Sequence, residues 1–214
     1  MRKLLLTTAA VAAAIAGAGC SKTPTPESVP ETPNTLTDSR DGQTYKTVEI
    51  GTQTWMAQNL NYQTDSSWCY KNKGSNCRKY GRLYEWNAAK KACPAGYHLP
   101  SREEWDVLAQ AVGGVIDPYN KSWSGAGNKL KTNSGWKKPG IGTDDYGFSA
   151  LPSGYLGPEN YFNDIHQCAP WWTATGYSDR SAYFRIVAYN TYDLSEDIID
   201  MYFGLSVRCV ADRP

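Results

Sequence analysis

Apolar residues recur at helical spacing after Ser101, which makes residues 101–112 the clearest predicted helix of the chain. One face of it carries an apolar stripe with i, i+3, i+4, i+7 spacing, formed by Trp105, Leu108, Ala109 and Val112. Ser101 and Glu104 have the S-x-x-E spacing of a capping box, and Gly113-Gly114 ends the helix. The stripe predicts that this helix packs against a core.

A second, shorter helix is predicted just upstream, over residues 84–92, whose sequence YEWNAAKKA is rich in helix-forming residues. Pro94, Gly96 and Pro100 prevent one continuous helix from forming across both segments. The chain must therefore turn between the two helices, and both can face the same core.

Runs of strand-forming residues account for most of the remaining domain. They are Thr44–Ile50 and Thr54–Leu60, predicted as a hairpin, then a buried strand within residues 144–155, and finally Trp171–Thr175, Ala182–Tyr189, Ile198–Tyr202 and Leu205–Val210. Residues 113–142 are dense in Gly, Asn and Ser and predict a long loop with one helical turn at residues 128–131. Early helices followed by a late antiparallel sheet indicate an α+β fold.

The N-terminus reads as an export signal followed by a tether. Residues 1–19 combine a basic start, an apolar centre and small residues at the end. The run ending in Cys20 resembles the lipobox of bacterial lipoproteins, which implies lipidation of Cys20 and attachment to a membrane. Gly17 departs from that pattern, so a plain signal peptide cleaved near Ala18 is the alternative. Residues 20–43 are rich in Pro, Ser and Thr and predict an extended tether.

The charge balance argues against nucleic acid as a partner. Removing residues 1–19 removes Arg2 and Lys3 and no acidic residue, which leaves 20 basic against 21 acidic residues. A net charge of about −1 provides no extended positive surface.

The cysteines indicate an oxidising location. Cys69 and Cys77 lie eight residues apart around Gly74, a spacing that suits a short loop closed by a disulfide. The chain has only two histidines, His98 and His166, so a zinc site is not predicted.

The order of several sequence blocks resembles the Fibrobacter succinogenes major paralogous domain, with the domain at residues 44–214. The blocks are TYKTVEIGTQTWMAQNLNY, YGRLYEWNAA, CPAGYHLPSREEW, LKTNSGW, GTDDYGFSALPSGY, WWTAT and GLSVRCV. The CPAGYHLPSREEW block is also similar to the formylglycine-generating, sulfatase-modifying family. Two helices, a long loop and a terminal strand resemble the C-type-lectin-like fold, although a fold does not determine an activity.

The lectin-like resemblance implies a disulfide between Cys93 and Cys209, 116 residues apart. Such a bridge would lower the entropy of the unfolded chain, which stabilises the folded state by about 4 to 5 kcal/mol. Cys168 would then remain unpaired. If Cys168 is the unpaired cysteine and Cys20 is lipidated, the other four cysteines can pair in three different ways.

The residues that could perform chemistry all have simpler structural explanations. Cys168 lacks a suitable base, because a strand would aim His166 at the opposite face. The two late cysteines of the formylglycine-generating enzymes and the calcium-binding motifs of lectins are absent. Carboxylates occur in three pairs: Glu103 with Glu104, Asp144 with Asp145, and Glu159 with Asp164. The first pair is typical of a helix start and the second of a turn. We therefore predict no catalytic residue, metal or cofactor.

Aromatic and amide residues in loop-like stretches are the predicted ligand-binding set. Sugar rings stack on aromatic faces and their hydroxyls bond to amides, so the candidates are Trp123, Trp136, Tyr155, Asn160, Tyr161 and Asn163. The alternative is that these rings pin loops to the core. Four other tryptophans are predicted core residues: Trp55, Trp86, Trp105 and Trp172.

These observations lead to the hypothesis of a non-enzymatic lipoprotein of the bacterial envelope, at the outer membrane or cell surface. Its disulfide-locked scaffold would leave residues 115–165 free to bind an extracellular polysaccharide or protein. Two alternatives remain: an enzyme, of the sulfatase-modifying-like fold or a glycan hydrolase, and a structural envelope protein.

Overall fold

A computed structural model describes residues 34–213, so the predicted signal peptide, Cys20 and most of the tether lie outside the described residues. The strands are β1 (Thr35–Thr37), β2 (Thr44–Ile50), β3 (Gln53–Met56), β4 (Ser67–Trp68), β5 (Leu83–Tyr84), β6 (Tyr97–His98), β7 (Val115–Ile116), β8 (Trp123–Ser124), β9 (Tyr155–Leu156), β10 (Phe162–Asn163), β11 (Cys168–Gly176), β12 (Ser181–Ala188), β13 (Ser195–Asp200), β14 (Leu205–Ser206) and β15 (Val210–Ala211). The helices are α1 (Gly74–Tyr80), α2 (Trp86–Ala92), α3 (Arg102–Ala111) and α4 (Ala126–Leu130). None of these helices has the length and apolar character needed to cross a bilayer.

Two larger sheets and two short ribbons make up the β-structure of the described residues. The first sheet has the strand order β1-β2-β3-β15-β6, and the second has the order β13-β12-β11-β14-β5-β4. Within them the strand pairs are antiparallel, except that β11 runs parallel to β14. The α+β prediction is confirmed.

Helix α3 begins as predicted. Ser101 accepts a hydrogen bond from the backbone of Glu104, and the Glu104 side chain accepts one from the backbone of Ser101. The apolar stripe of α3 meets a cluster of aromatic rings. Trp105 lies 4.8 Å from Trp55 and 5.6 Å from Trp171 between ring centroids, and Phe148 packs against all three. The four tryptophans predicted for the core are all buried.

The long strands β11 and β12 divide the domain because their side chains alternate between two faces. Trp171 is paired with Arg185 on the face turned towards α3, where Arg185 donates to Asp106 of that helix. Trp172 is paired with Phe184 on the other face, and both pack in one cluster with Trp86 of α2. Each face of the sheet therefore meets a different helix.

Three predictions about local structure are wrong. Residues 34–43, assigned to the tether, are folded: β1 pairs with β2, and Asp38 is fully buried and bonded to Arg40. The strand expected within residues 144–155 is mostly irregular chain, because Asp144 bonds the backbone and hydroxyl of Ser149 and holds a turn. Helix α1 was not predicted at all.

Residues 115–165 are not free of a folding role, contrary to prediction. They supply several fully or largely buried core residues, namely Ala126, Leu130, Trp136, Phe148, Ala150 and Leu156. Other parts of this segment, such as residues 119–121, are exposed. The segment is therefore both core and surface.

Candidate functional site

A cleft of about 380 Å³ opens on the face of the larger sheet that is turned away from α3. We call it the sheet cleft. Its floor is apolar and comes from two paired strands, with Cys168 opposite Ala188 and Pro170 opposite Ile186. Farther along the same face, the next pair, Trp172 and Phe184, is covered by Trp86. The cleft therefore lies where helix α2 stops covering the sheet.

One wall of the sheet cleft is a short chain of polar groups. Gln167 donates from Nε2 to Oδ1 of Asp164 over 3.1 Å, and its Oε1 accepts from Lys137 Nζ over 3.3 Å. The Lys137 ammonium also lies 4.8 Å from the ring centroid of Tyr189. This wall thus presents a carboxylate and an amide beside an apolar floor, and Lys137 contacts the amide from outside the lining.

Tyr155, from the hairpin of β9 and β10, lines the sheet cleft beside Asp164. Burial, with a contribution from the negative charge of Asp164, raises the pKa of Tyr155. Its ring lies 6.2 Å from Phe203, which in turn lies 5.1 Å from the half-exposed ring of Tyr202. A row of aromatic rings therefore leads from the cleft to the surface.

A comparison with models of protein families identifies the family of this chain. The family model described as the Fibrobacter succinogenes major domain matches residues 48–211. The chain belongs to this family. The sheet cleft lies within the matched residues, so it is part of the Fibrobacter succinogenes major domain itself.

No curated protein and no solved structure matches the chain. The resemblance that the sequence blocks indicated is confirmed at the level of the family. The finer likeness of this Fibrobacter succinogenes major domain to C-type-lectin-like or sulfatase-modifying folds stays a prediction.

Four of the six predicted ligand-binding residues share one hairpin of the domain. Tyr155 lines the sheet cleft, whereas Asn160 and Tyr161 are exposed at the hairpin tip, where Tyr161 is 70% exposed. Asn163 is half-buried and donates to the carbonyl oxygen of Tyr161. Only Tyr155 is thus in the cleft, and the others stand beside it.

The other two predicted residues do not form a stacking surface. Trp136 is only 6% exposed and packs in the main core, with its Nε1 donating to Thr132 Oγ1 over 3.1 Å. Trp123 is half-buried against the same core and donates to Asp106 Oδ1 over 2.7 Å. These two rings hold the middle segment of the Fibrobacter succinogenes major domain against α3 and the sheet. This is the alternative interpretation that the sequence offered for them.

The disulfide pairs are those predicted. Cys69 is bonded to Cys77, with their Cα atoms 4.9 Å apart, and Cys93 is bonded to Cys209 at 5.9 Å. The second bridge joins the end of α2 to the residue before β15, so it closes the domain between its early helices and its last strand.

Cys168 is a free, buried thiol in the floor of the sheet cleft. Burial, reinforced by the nearby charge of Asp164, raises the pKa of Cys168 to about 12. The Nδ1 atom of His166 lies 2.9 Å from the carbonyl oxygen of Gly135, and its ring packs edge-on against Tyr80. The imidazole is thus engaged elsewhere, and the thiol has the environment of a packing residue.

The acidic pairs noted in the sequence are used structurally or are separated. Glu104 caps α3 and bonds to His98, and Asp144 holds its turn through Ser149. Of the last pair, Asp164 lines the sheet cleft while Glu159 is exposed on the hairpin. No group of three or more metal-binding side chains occurs among residues 34–213.

Sequence reasoning missed most of the sheet cleft. Gln167 and Asn190 carry no motif. The alternation in residues 182–189 was a usable signal, since it places Phe184, Ile186 and Ala188 on one face. It did not reveal that the end of this face is uncovered.

Proposed function

We propose that this protein is a non-enzymatic binding protein of the bacterial envelope and that its sheet cleft binds a carbohydrate. The observation that carries the proposal is the combination of an apolar floor at Pro170 and Ile186 with the polar side chains of Asp164 and Gln167. Ligand sites in proteins typically combine such an apolar surface with a few convergent polar groups.

A sugar ring suits this combination of surfaces. A pyranose has an apolar face formed by C–H groups, and its hydroxyls both donate and accept hydrogen bonds. Tyr155 offers a ring beside the cleft, Asp164 an acceptor and Gln167 an amide. Aromatic rings and amides of this kind give both contact area and orientation.

The environment of the reactive side chains supports binding rather than catalysis. A thiol whose pKa is raised to about 12 is protonated at neutral pH and is a weak nucleophile. His166, two residues from Cys168, is hydrogen-bonded to Gly135 and not to the thiol.

The export signal and Cys20 support a lipid-anchored location on the envelope, facing an extracellular polysaccharide or protein. The two disulfides agree with an oxidising compartment. Lipidation of Cys20 is tested by mass spectrometry of the N-terminal peptide, and an unmodified cysteine would contradict the anchor.

A glycan array probed with the purified chain carrying Cys20→Ser tests the carbohydrate proposal. We expect a bound glycan whose affinity falls about tenfold or more in Asp164→Asn, because a hydrogen bond to a charged group is lost. Asp179→Asn is the matched control, since Asp179 is exposed in the turn between β11 and β12. Absence of any bound glycan, or equal losses in both variants, would refute the proposal.

Cys168 supplies a second readout of cleft occupancy. In the Cys20→Ser chain it is the single free thiol, since the other four cysteines are paired. A glycan bound in the cleft should slow alkylation of Cys168 by a small maleimide. A glycan that binds without slowing this reaction would place its site elsewhere.

A further inference from the structure

A second concave surface lies between the N-terminal hairpin, helix α1 and residues 147–151. It has a volume of about 1010 Å³, and we call it the basic groove. Four cationic side chains line it, namely Lys46, Arg78, Lys79 and Arg208, and no carboxylate does. The mature chain is close to neutral, so this concentration of one charge is local.

The four cations are not neutralised within the domain. None of them forms an ion pair with a carboxylate among residues 34–213. The negative charge of Asp144 acts on Arg208, but its carboxylate accepts hydrogen bonds from Ser149 and forms no ion pair with these four cations. A concave surface with one sign of charge and apolar walls concentrates the potential that attracts an opposite charge.

Arg208 gives the basic groove a fixed positive charge at its base. It is 1% exposed and is held by neutral acceptors only: Asn59 at 2.8 and 3.0 Å, and the carbonyl oxygens of Met56 and Phe148. Burial lowers the pKa of Arg208 to about 9, so it remains charged at neutral pH. Since a buried charge without a counter-ion is costly, an anion bound above it would be stabilised.

The remaining lining of the basic groove favours a hydroxyl-bearing ligand. Hydroxyl and amide side chains border the cations, among them Gln58, Asn61 and Thr132. The Asn61 amide is itself held by the hydrogen bond that its Nδ2 donates to Gln43 Oε1. The lining tyrosines, Tyr45 and Tyr80, are only 3% and 4% exposed and offer no ring face on which nucleic acid bases could stack.

We infer that the basic groove is a second binding site and that it takes an anionic, carboxylate-bearing polysaccharide. The carboxylates would lie over the lysines and arginines, and the sugar hydroxyls would bond to the amide and hydroxyl side chains. This inference rests on residues other than those of the sheet cleft, so either site can fail without the other.

Calorimetric titration of the Cys20→Ser chain with polygalacturonate tests the inference, with dextran as the neutral comparison. We expect binding of polygalacturonate alone, weakening strongly between about 0.01 M and 1 M salt as the Debye length falls from roughly 30 to 3 Å. The triple variant Lys46→Gln, Arg78→Gln, Lys79→Gln should weaken it about tenfold, because all three side chains are exposed.

A matched triple variant controls for the change in net charge. Lys91→Gln, Lys121→Gln, Arg180→Gln removes two lysines and one arginine that are equally exposed but lie outside the groove lining. We expect it to change the affinity by less than about twofold. Asp164→Asn in the sheet cleft should leave polygalacturonate binding unchanged.

Three results would overturn the inference. The first is no binding of polygalacturonate at low salt, and the second is an equal loss in both triple variants. The third is binding of single-stranded DNA of equal charge with the same affinity, which would indicate non-specific attraction of polyanions.

Discussion

Removing the bridge between Cys93 and Cys209 should destabilise the domain about twice as much as removing the bridge between Cys69 and Cys77. In the chain-entropy description, a disulfide stabilises by restricting the unfolded chain, and the effect grows with the logarithm of the loop length. A separation of 116 residues corresponds to about 4.8 kcal/mol. A separation of 8 residues corresponds to about 2.5 kcal/mol.

Packing adds to the effect of removing the longer bridge. Cys209 is fully buried in the cluster that contains Trp86 and Trp172, so truncation to alanine also leaves a small cavity. Because domains of this size have total stabilities of about 5 to 15 kcal/mol, the loss is a large fraction of the whole.

Urea unfolding of the two alanine pairs, followed by tryptophan fluorescence, measures the difference. With a slope of about 2 kcal/mol per molar urea, the midpoint should fall by about 2.4 M for Cys93→Ala, Cys209→Ala and by about 1.2 M for Cys69→Ala, Cys77→Ala. Equal shifts, or a larger shift for the short loop, would refute the reasoning from loop length.

Three further perturbations follow from single contacts. The two ring nitrogens of His98 are hydrogen-bonded to Asp212 at 2.6 Å and to Glu104 at 2.8 Å. Burial lowers the pKa of His98, but these two hydrogen bonds outweigh burial and raise the pKa above its usual value. The stabilisation from protonated His98 is complete below a pH of roughly 6.5 and is lost as the pH rises through the raised pKa. The melting temperature of the native chain should therefore fall over that pH range, whereas the melting temperature of His98→Gln should not change. Ser101→Ala removes the cap of α3 and should cost about 1 kcal/mol in urea unfolding, with Ser39→Ala in the exposed turn after β1 as the control; a loss as small as the control's would contradict the capping role. Trp105→Ala should cost about 3 to 5 kcal/mol by the same assay, because its ring is fully buried among other rings, and a loss under about 1 kcal/mol would mean that the core is packed differently.

The two proposals together describe a binder with two distinct surfaces. The sheet cleft has a carboxylate and an amide at Asp164 and Gln167, whereas the basic groove carries charge without ion pairs at Lys46, Arg78 and Lys79. A neutral and an acidic stretch of one polymer, or two different glycans, would each find a suitable surface. The independent variants at each site separate these possibilities.

Structure that depends on neighbouring residues was predictable from the sequence. Helix α3 follows from Ser101, Glu104 and an apolar stripe within one dozen residues, and strands β11 and β12 follow from residue type and alternation. The disulfide between Cys93 and Cys209 came from the resemblance to a known fold, since spacing alone left three pairings open.

Local patterns failed where a distant residue decided the outcome. Trp136 and Tyr161 both sit in Gly- and Asn-rich stretches, yet Trp136 is buried beside the core and Tyr161 is 70% exposed. The difference lies in what packs against each ring, which no window of sequence contains. Residues 34–43 were misassigned for the same reason, because their strand exists only by pairing with β2.

The sequence by itself determined the α+β class, the capped helix and the family, because each depends on residue order along a short stretch or on a recognisable series of such stretches. Only the tertiary structure decided where the two concave surfaces lie. The sheet cleft joins Tyr155, Ile186 and Leu205, and the basic groove joins Lys46, Arg78 and Arg208. Strand pairing and core packing bring these residues together from positions far apart in the chain, and the energy of that packing depends on contacts that local order does not specify.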